Sequence, residues 1–273
     1  MKNILVPIDF STYADHALEI AAQIAKKNDM GIVLFHMIGI SESVLAKSEL
    51  QEQEEANYYM GLAKKKLKEI YGRPYMAGLK IVSVIQNYLI FSEIDAVAAE
   101  QQASLIVMGS HGTSGLGTFF VGSNTEKVVR SSSLPVLVIK EQNEDFKVKE
   151  IVFACDLKPE NASAYFKLKK FALDFNANIH LVFINEAGMN FKTTAQIDAK
   201  MAAFKEALGN NPAVTIYNDH SIEQGIFNFC KKVGADLLAI PTHGRRGLAH
   251  FFMGSLGETV ANKAKIPVLT LKL

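Results

Sequence analysis

A chain of 273 residues, 49% apolar and 21% charged, holds enough apolar side chains for two ordinary globular cores, which excludes an intrinsically disordered chain. A formal net charge of +1 excludes the broad positive field that binding to a phosphate backbone requires, so no nucleic-acid partner is expected. Cys155 and Cys230 have no CxxC spacing and read as reduced, buried thiols; no apolar run approaches the roughly 20 residues of a membrane span, and Met1-Lys2-Asn3 leads straight into a strand, so a cytoplasmic protein without membrane contact is expected.

In chain order, residues 4–8 form a short continuous apolar run, as expected of a strand covered on both faces in a parallel sheet. Ser11 reads as an N-cap, and behind it Ala14, Ala17, Leu18, Ala21, Ile24 and Ala25 recur at three- and four-residue steps. They make one apolar stripe on a helix ending near Lys26-Lys27. Residues 32–35 read as the next strand, followed by a long helical stretch to about Tyr71, a strand over 80–85 and a Ser-capped helix over 92–102. A fourth strand, 105–108, enters a glycine loop, Ser123 opens a helix through about Arg130, and 135–139 form a fifth strand. The polar residues 140–145 read as a short linker. Beyond it the order repeats: a strand over 151–154, a helix through Tyr165, Phe166 and Phe175, a strand over 179–184, a helix over 194–208 and a strand over 214–217. A helix from Ser221, a strand over 237–240, a loop, a helix from Ser255 and a strand over 268–271 complete it. Five strands alternating with four helices in each half call for an α/β fold of two doubly wound, five-stranded parallel sheets, with domains at 1–146 and 147–273.

The repeat keeps its register. Gly109-Ser110-His111-Gly112 is followed by nine residues and Gly122-Ser123, and Pro241-Thr242-His243-Gly244 by nine residues and Gly254-Ser255. Gly112 to Gly244, Ser123 to Ser255 and Pro135 to Pro267 are each 132 apart, whereas Asp9 to Asp156 and Ile32 to Ile179 are 147 apart. The second copy has therefore lost 15 residues between Ile38 and the region of Lys80, where the first carries Glu52, Glu54, Glu55, Lys64, Lys65 and Lys66 at spacings suited to a solvated helix face.

Ligands of open α/β sheets collect beyond the carboxyl ends of the strands where the winding reverses, the edge to which Asp9 and Gly109 both belong. Glycines at 109 and 112 permit positive φ and let main-chain amides approach an anion, while Gly122-Ser123 opens a helix whose free amides favour phosphate. The plainer alternative, tight turns and a helix cap without a ligand, is weakened by the recurrence of the spacing. Neither GxxxxGK[ST] nor GxGxxG after a first strand occurs, so the P-loop and Rossmann dehydrogenase fingerprints are missing. His111 and His243 have no acidic or cysteine partner at ligand spacing, so a loop-ordering role is expected rather than a metal or catalytic one. Phe119-Phe120 and Phe251-Phe252 read as core or interface.

With these residues in view, the chain resembles a tandem universal stress protein: the glycine spacing is similar to that of the family's ATP-binding members, and Ile4-Leu5-Val6-Pro7-Ile8-Asp9-Phe10-Ser11 to their opening strand. The resemblance implies the strand order 3-2-1-4-5, and domains that pair through their last strands, here within one chain. It also implies ATP, with or without Mg, as the ligand. Pro7, Asp9 and Met37 would then lie at the adenine and ribose end, Met108 and Gly109 along the sugar, and Gly112, Gly122, Ser123 and Asn124 at the phosphates. In the second copy Asp156, Gly244, Gly254 and Ser255 are retained, but Ala154 replaces Pro7 and Pro241 replaces the first glycine, fixing φ and removing an amide donor. Arg245 and Arg246 are added cations there, so one-site and two-site models both stand. Three functions remain open: a nucleotide-binding stress-response regulator with a protein partner, a slow ATPase or phosphotransferase, and a scaffold independent of nucleotide. A homodimer is compatible with all three.

Overall fold

The structure, a computed structural model, describes residues 2–38, 49–86, 93–110, 123–242 and 266–273, with side chains except at 49–53 and 123. The first half contains β1 (Asn3–Pro7), α1 (Thr12–Lys27), β2 (Gly31–Met37), α2 (Glu49–Tyr71), β3 (Ile81–Gln86), α3 (Ile94–Glu100), β4 (Ala103–Gly109), α4 (Ser123–Ser131) and β5 (Val136–Ile139). The second contains β6 (Glu150–Ala154), α5 (Asn161–Phe175), β7 (Asn178–Glu186), α6 (Thr194–Leu208), β8 (Val214–Asp219), α7 (Ile222–Val233), β9 (Leu237–Thr242) and β10 (Val268–Lys272). The fourth helix expected in this half lies outside the described residues.

The ten strands form one sheet in the order β3-β2-β1-β4-β5-β10-β9-β6-β7-β8, so each half has the order 3-2-1-4-5 and the two meet at their last strands. Neighbours within a half are parallel, while β5 and β10 are antiparallel, with Val138 opposite Val268 and Val136 opposite Thr270. The continuous apolar runs of the strands have a direct cause in this geometry. Ile4 and Val6 point into a core with α1, α2, α5 and α6, whereas Leu5 points into a second core with α3, α4 and α7. Alternate residues thus serve opposite faces, and both faces are covered.

Ser11 caps α1 by accepting the Ala14 amide at 3.2 Å, and Ser221 caps α7 by accepting the Gln224 amide at 3.2 Å. Ser92 lies outside the described residues; α3 starts two residues beyond it, with Glu93 at the N-cap and no side-chain cap. The short linker between the halves lies against α1. Gln23 of α1 donates to the Asn143 carbonyl and accepts the Phe146 amide, both at 2.8 Å, and the Phe146 ring meets Phe175 edge-on at 6.0 Å. About half of the shortening of the second copy falls on the second helix, 23 residues in α2 and 15 in α6. The charged face of α2 is mainly exposed, but Ala63, Leu67 and Ile70 reach the core.

Candidate functional site

The carboxyl ends of β1, β2 and β4 lie side by side, with Pro7 in register with Phe35, so Pro7, Met37, Met108 and Gly109 share one sheet edge. Beyond β1 the chain turns through Ile8, Asp9 and Phe10 into α1, and Phe10 takes a left-handed φ of 63°. The Asp9 carboxylate accepts the Ser11 amide at 3.0 Å, which holds it at the amino end of α1. His36 Nδ1 lies 2.6 Å from the Ile8 carbonyl oxygen; because a carbonyl only accepts, Nδ1 carries the proton. Burial pushes the His36 imidazole below its ordinary value, against the opposing effects of that hydrogen bond and the Asp9 charge. The His36 ring packs on Phe10 at 4.6 Å, and the Lys66 ammonium lies 4.9 Å from the centre of the Phe10 ring.

Gly109 is required here for a reason other than the one expected. Its φ is not in the left-handed region; instead, a Cβ built on it would lie 2.6 Å from the Tyr13 carbonyl oxygen in the first turn of α1. The end of β4 therefore touches helix backbone. On its other side the Gly109 carbonyl accepts a hydrogen bond from Thr125 Oγ1 at 2.8 Å, and Thr125 is buried in the first turn of α4. One strand end thus holds the amino termini of two helices at the same edge, next to exposed Asn124. Sequence reading missed Thr125, although it directly follows the Gly122-Ser123-Asn124 segment. Gly112 and Gly122 lie outside the described residues, as do Gly244, Gly254, Ser255, His111, His243, Arg245, Arg246 and the two Phe-Phe pairs; of Ser123 only the backbone is described.

The second half departs from this plan. Asp156 follows β6 as Asp9 follows β1, and Leu157 repeats the left-handed φ at 57°. Its carboxylate, however, is paired within the chain, with Lys158 Nζ at 2.9 Å from Oδ2 and Asn161 Nδ2 donating to Oδ1 at 2.5 Å. Burial raises the Asp156 carboxyl, but the hydrogen bonds from Lys158 and Asn161 outweigh that effect and hold it below the usual carboxylate range. The first residue of α5, Asn161, aligns with Ala14, so α5 lacks the turn that crowds Gly109, at the end of the sheet where Pro241 stands. The residues aligned with Asn124 and Thr125 are Leu256 and Gly257, which supply neither polar group. Among the described residues no three His, Cys, Asp or Glu side chains gather as a metal site, and no helix is long and apolar enough to cross a membrane.

Comparison with known proteins agrees with the repeated architecture. The model of the universal stress protein family matches twice, over residues 1–140 and 147–272. A universal stress protein of Methanocaldococcus jannaschii is 32% identical over 163 residues, covering 52% of this chain and 96% of its own. One from Synechocystis is 24% identical over the full length of both chains. The crystal structure of a universal stress protein from Archaeoglobus fulgidus superposes with a TM-score of 0.70 at 22% identity, over 99% of this chain and 98% of that one, a likeness of fold. Two family matches on two halves of the same strand order make this chain a tandem-domain member of the universal stress protein family.

Proposed function

We propose that the first half binds an adenine nucleotide, ATP in the first instance, and that the protein works as a stress-response regulatory module rather than as an efficient enzyme. The observation that carries this reading is the double anchoring of Gly109, against Tyr13 of α1 and through Thr125 of α4. It directs two helix amino termini, each a positive dipole end, to the edge where β1 and β4 diverge and where Asp9 stands. Amides suit the phosphates, while Met37 and Met108 offer apolar contact to the base and sugar. Among the described site residues Asp9 is the one carboxylate, which supplies no pair for acid–base or two-metal hydrolysis.

Retention of ligand tests the reading. Protein purified without added nucleotide, then denatured and extracted, is expected to release adenine nucleotide in molar amounts, or to bind added ATP if the site was emptied during isolation. Absence of both would move the protein to the scaffold class, and rapid phosphate release abolished by Asp9→Ala would move it to the enzymes.

A further inference from the structure

Tyr58, Tyr59 and Leu62 stand on adjacent turns of α2 with 63%, 42% and 41% of their surface exposed, and the Tyr58 and Tyr59 rings meet edge-on at 5.6 Å. Single exposed apolar side chains are ordinary, but three grouped on one helix mark a contact surface. Glu54, Tyr58, Gly61, Lys65 and Lys68 follow one another at steps of four and three, so they form a spine on the face opposite buried Ala63, Leu67 and Ile70, with Leu62 at its side. Gly61 is anomalous within its own chain. A glycine in a helix interior weakens the helix, yet a Cβ built on Gly61 would meet nothing within 4 Å, so no contact among the described residues requires it. The charges of the spine are unmatched too: Glu54, Lys65 and Lys68 are exposed and make no ion pair or hydrogen bond among the described residues.

We propose that α2 docks on the α2 of a second copy of this chain, antiparallel, about a two-fold axis at Gly61. Glu54 lies seven residues before Gly61 and Lys68 seven after it, each about 10 Å along the helix, so a crossing at Gly61 sets each Glu54 against the partner's Lys68. Two ion pairs then form by symmetry. Tyr58 falls beside the partner's Leu62 and the partner's Lys65, which covers the apolar patch, and the two glycines let the helix backbones approach at the crossing. A parallel pair would set Glu54 against Glu54 and Lys65 against Lys65. A spine that is acidic at one end, apolar in the middle and basic at the other complements its own reversed copy, whereas a partner of uniform charge would be repelled at one end. The device belongs to the first half alone, because the shorter α6 carries neither glycine nor tyrosine. A contact one helix wide belongs among small interfaces, below about 1,200 Å² in total, so a weak, concentration-dependent dimer is expected. The inference does not depend on nucleotide binding in the first half.

Sedimentation velocity of the full-length protein at low salt, from about 1 μM to about 1 mM, reads the association. A reversible monomer–dimer equilibrium is expected. Glu54→Lys and Lys68→Glu should each weaken it about tenfold or more, because each sets like charges together at both ends of the crossing. Mixed in equal amounts, the two variants should associate nearly as tightly as the parent, since each supplies the charge that the other lacks. Gly61→Leu should hold the helices apart and weaken the dimer about tenfold or more, while the thermal midpoint of the dilute monomer does not fall, leucine being the better helix former. Should that variant not fold, the two surface charge variants and their mixture decide alone. A parent that stays monomeric throughout, a dimer that the charge variants leave intact, or charge variants that dissociate and do not recover on mixing would each overturn the proposal, and none of these results bears on ATP in the first half.

Discussion

His36 joins the end of β2 to the turn after β1 with one ring, through its proton on the Ile8 carbonyl and a tilted ring contact with Phe10. Because burial lowers its pKa in the folded state, the unfolded chain takes up the proton first as pH falls. Between the ordinary value near 6.5 and the lower folded value the unfolded state binds more protons, so stability drops with acidification across that window. His36→Gln keeps an N–H donor but cannot titrate. Urea unfolding at pH 7 and pH 5 should show the variant about 1 kcal/mol less stable at pH 7, from poorer packing and hydrogen bonding, yet losing less between the two pH values than the parent. Identical losses would show that His36 does not couple to folding. The cysteines fit their sequence reading in part: both are free thiols pushed by burial up to about 12, with Cys230 fully buried and Cys155 partly so.

At the level of elements, the contact that orders the first site is β4 against the first turn of α1. Gly109→Ala would drive a Cβ into main chain that cannot swing aside as a flexible side chain would. A loss of about 2 kcal/mol is expected from denaturant unfolding, typical of overpacking, with α1 displaced; unchanged stability would mean that the two elements do not touch. This contact also marks the limit of what sequence could tell. The strands were legible because a sheet covered on both faces leaves unbroken apolar runs, and α1 because its Ala and Ile stripe repeats at helical steps with Ser11 in front. The reason for Gly109 was not legible, since it lies in a helix 96 residues earlier in the chain. Nor was the pairing of Asp156, since the aligned carboxylate is the same residue and only its neighbours Lys158 and Asn161 divert it. The linker was legible from its polar composition, but not its anchoring, since Gln23 and Phe175 hold its far end from outside.

Over the whole molecule, the antiparallel junction of β5 and β10 sets where the sites lie. Parallel strands in the two halves run in opposite directions across that junction, so the edge carrying Asp9 and the edge carrying Asp156 are at opposite ends of one sheet. The last-strand edge of each half is consumed inside the chain, reinforced by Lys272 Nζ donating to the Ser131 carbonyl at 3.0 Å and Thr270 Oγ1 to that of Val136 at 3.3 Å. A homodimer would have to use another surface, such as the outer strands β3 and β8. The most direct measurement is a calorimetric titration of ATP into the full-length protein and into Gly112→Val, with circular dichroism confirming that both are folded. The account predicts one equivalent of ATP for the parent and at least a tenfold weaker interaction for the variant, because the family resemblance implies that Gly112 is a phosphate contact. ATP affinity unchanged by Gly112→Val, or no uptake by the parent after removal of any endogenous nucleotide, would contradict it.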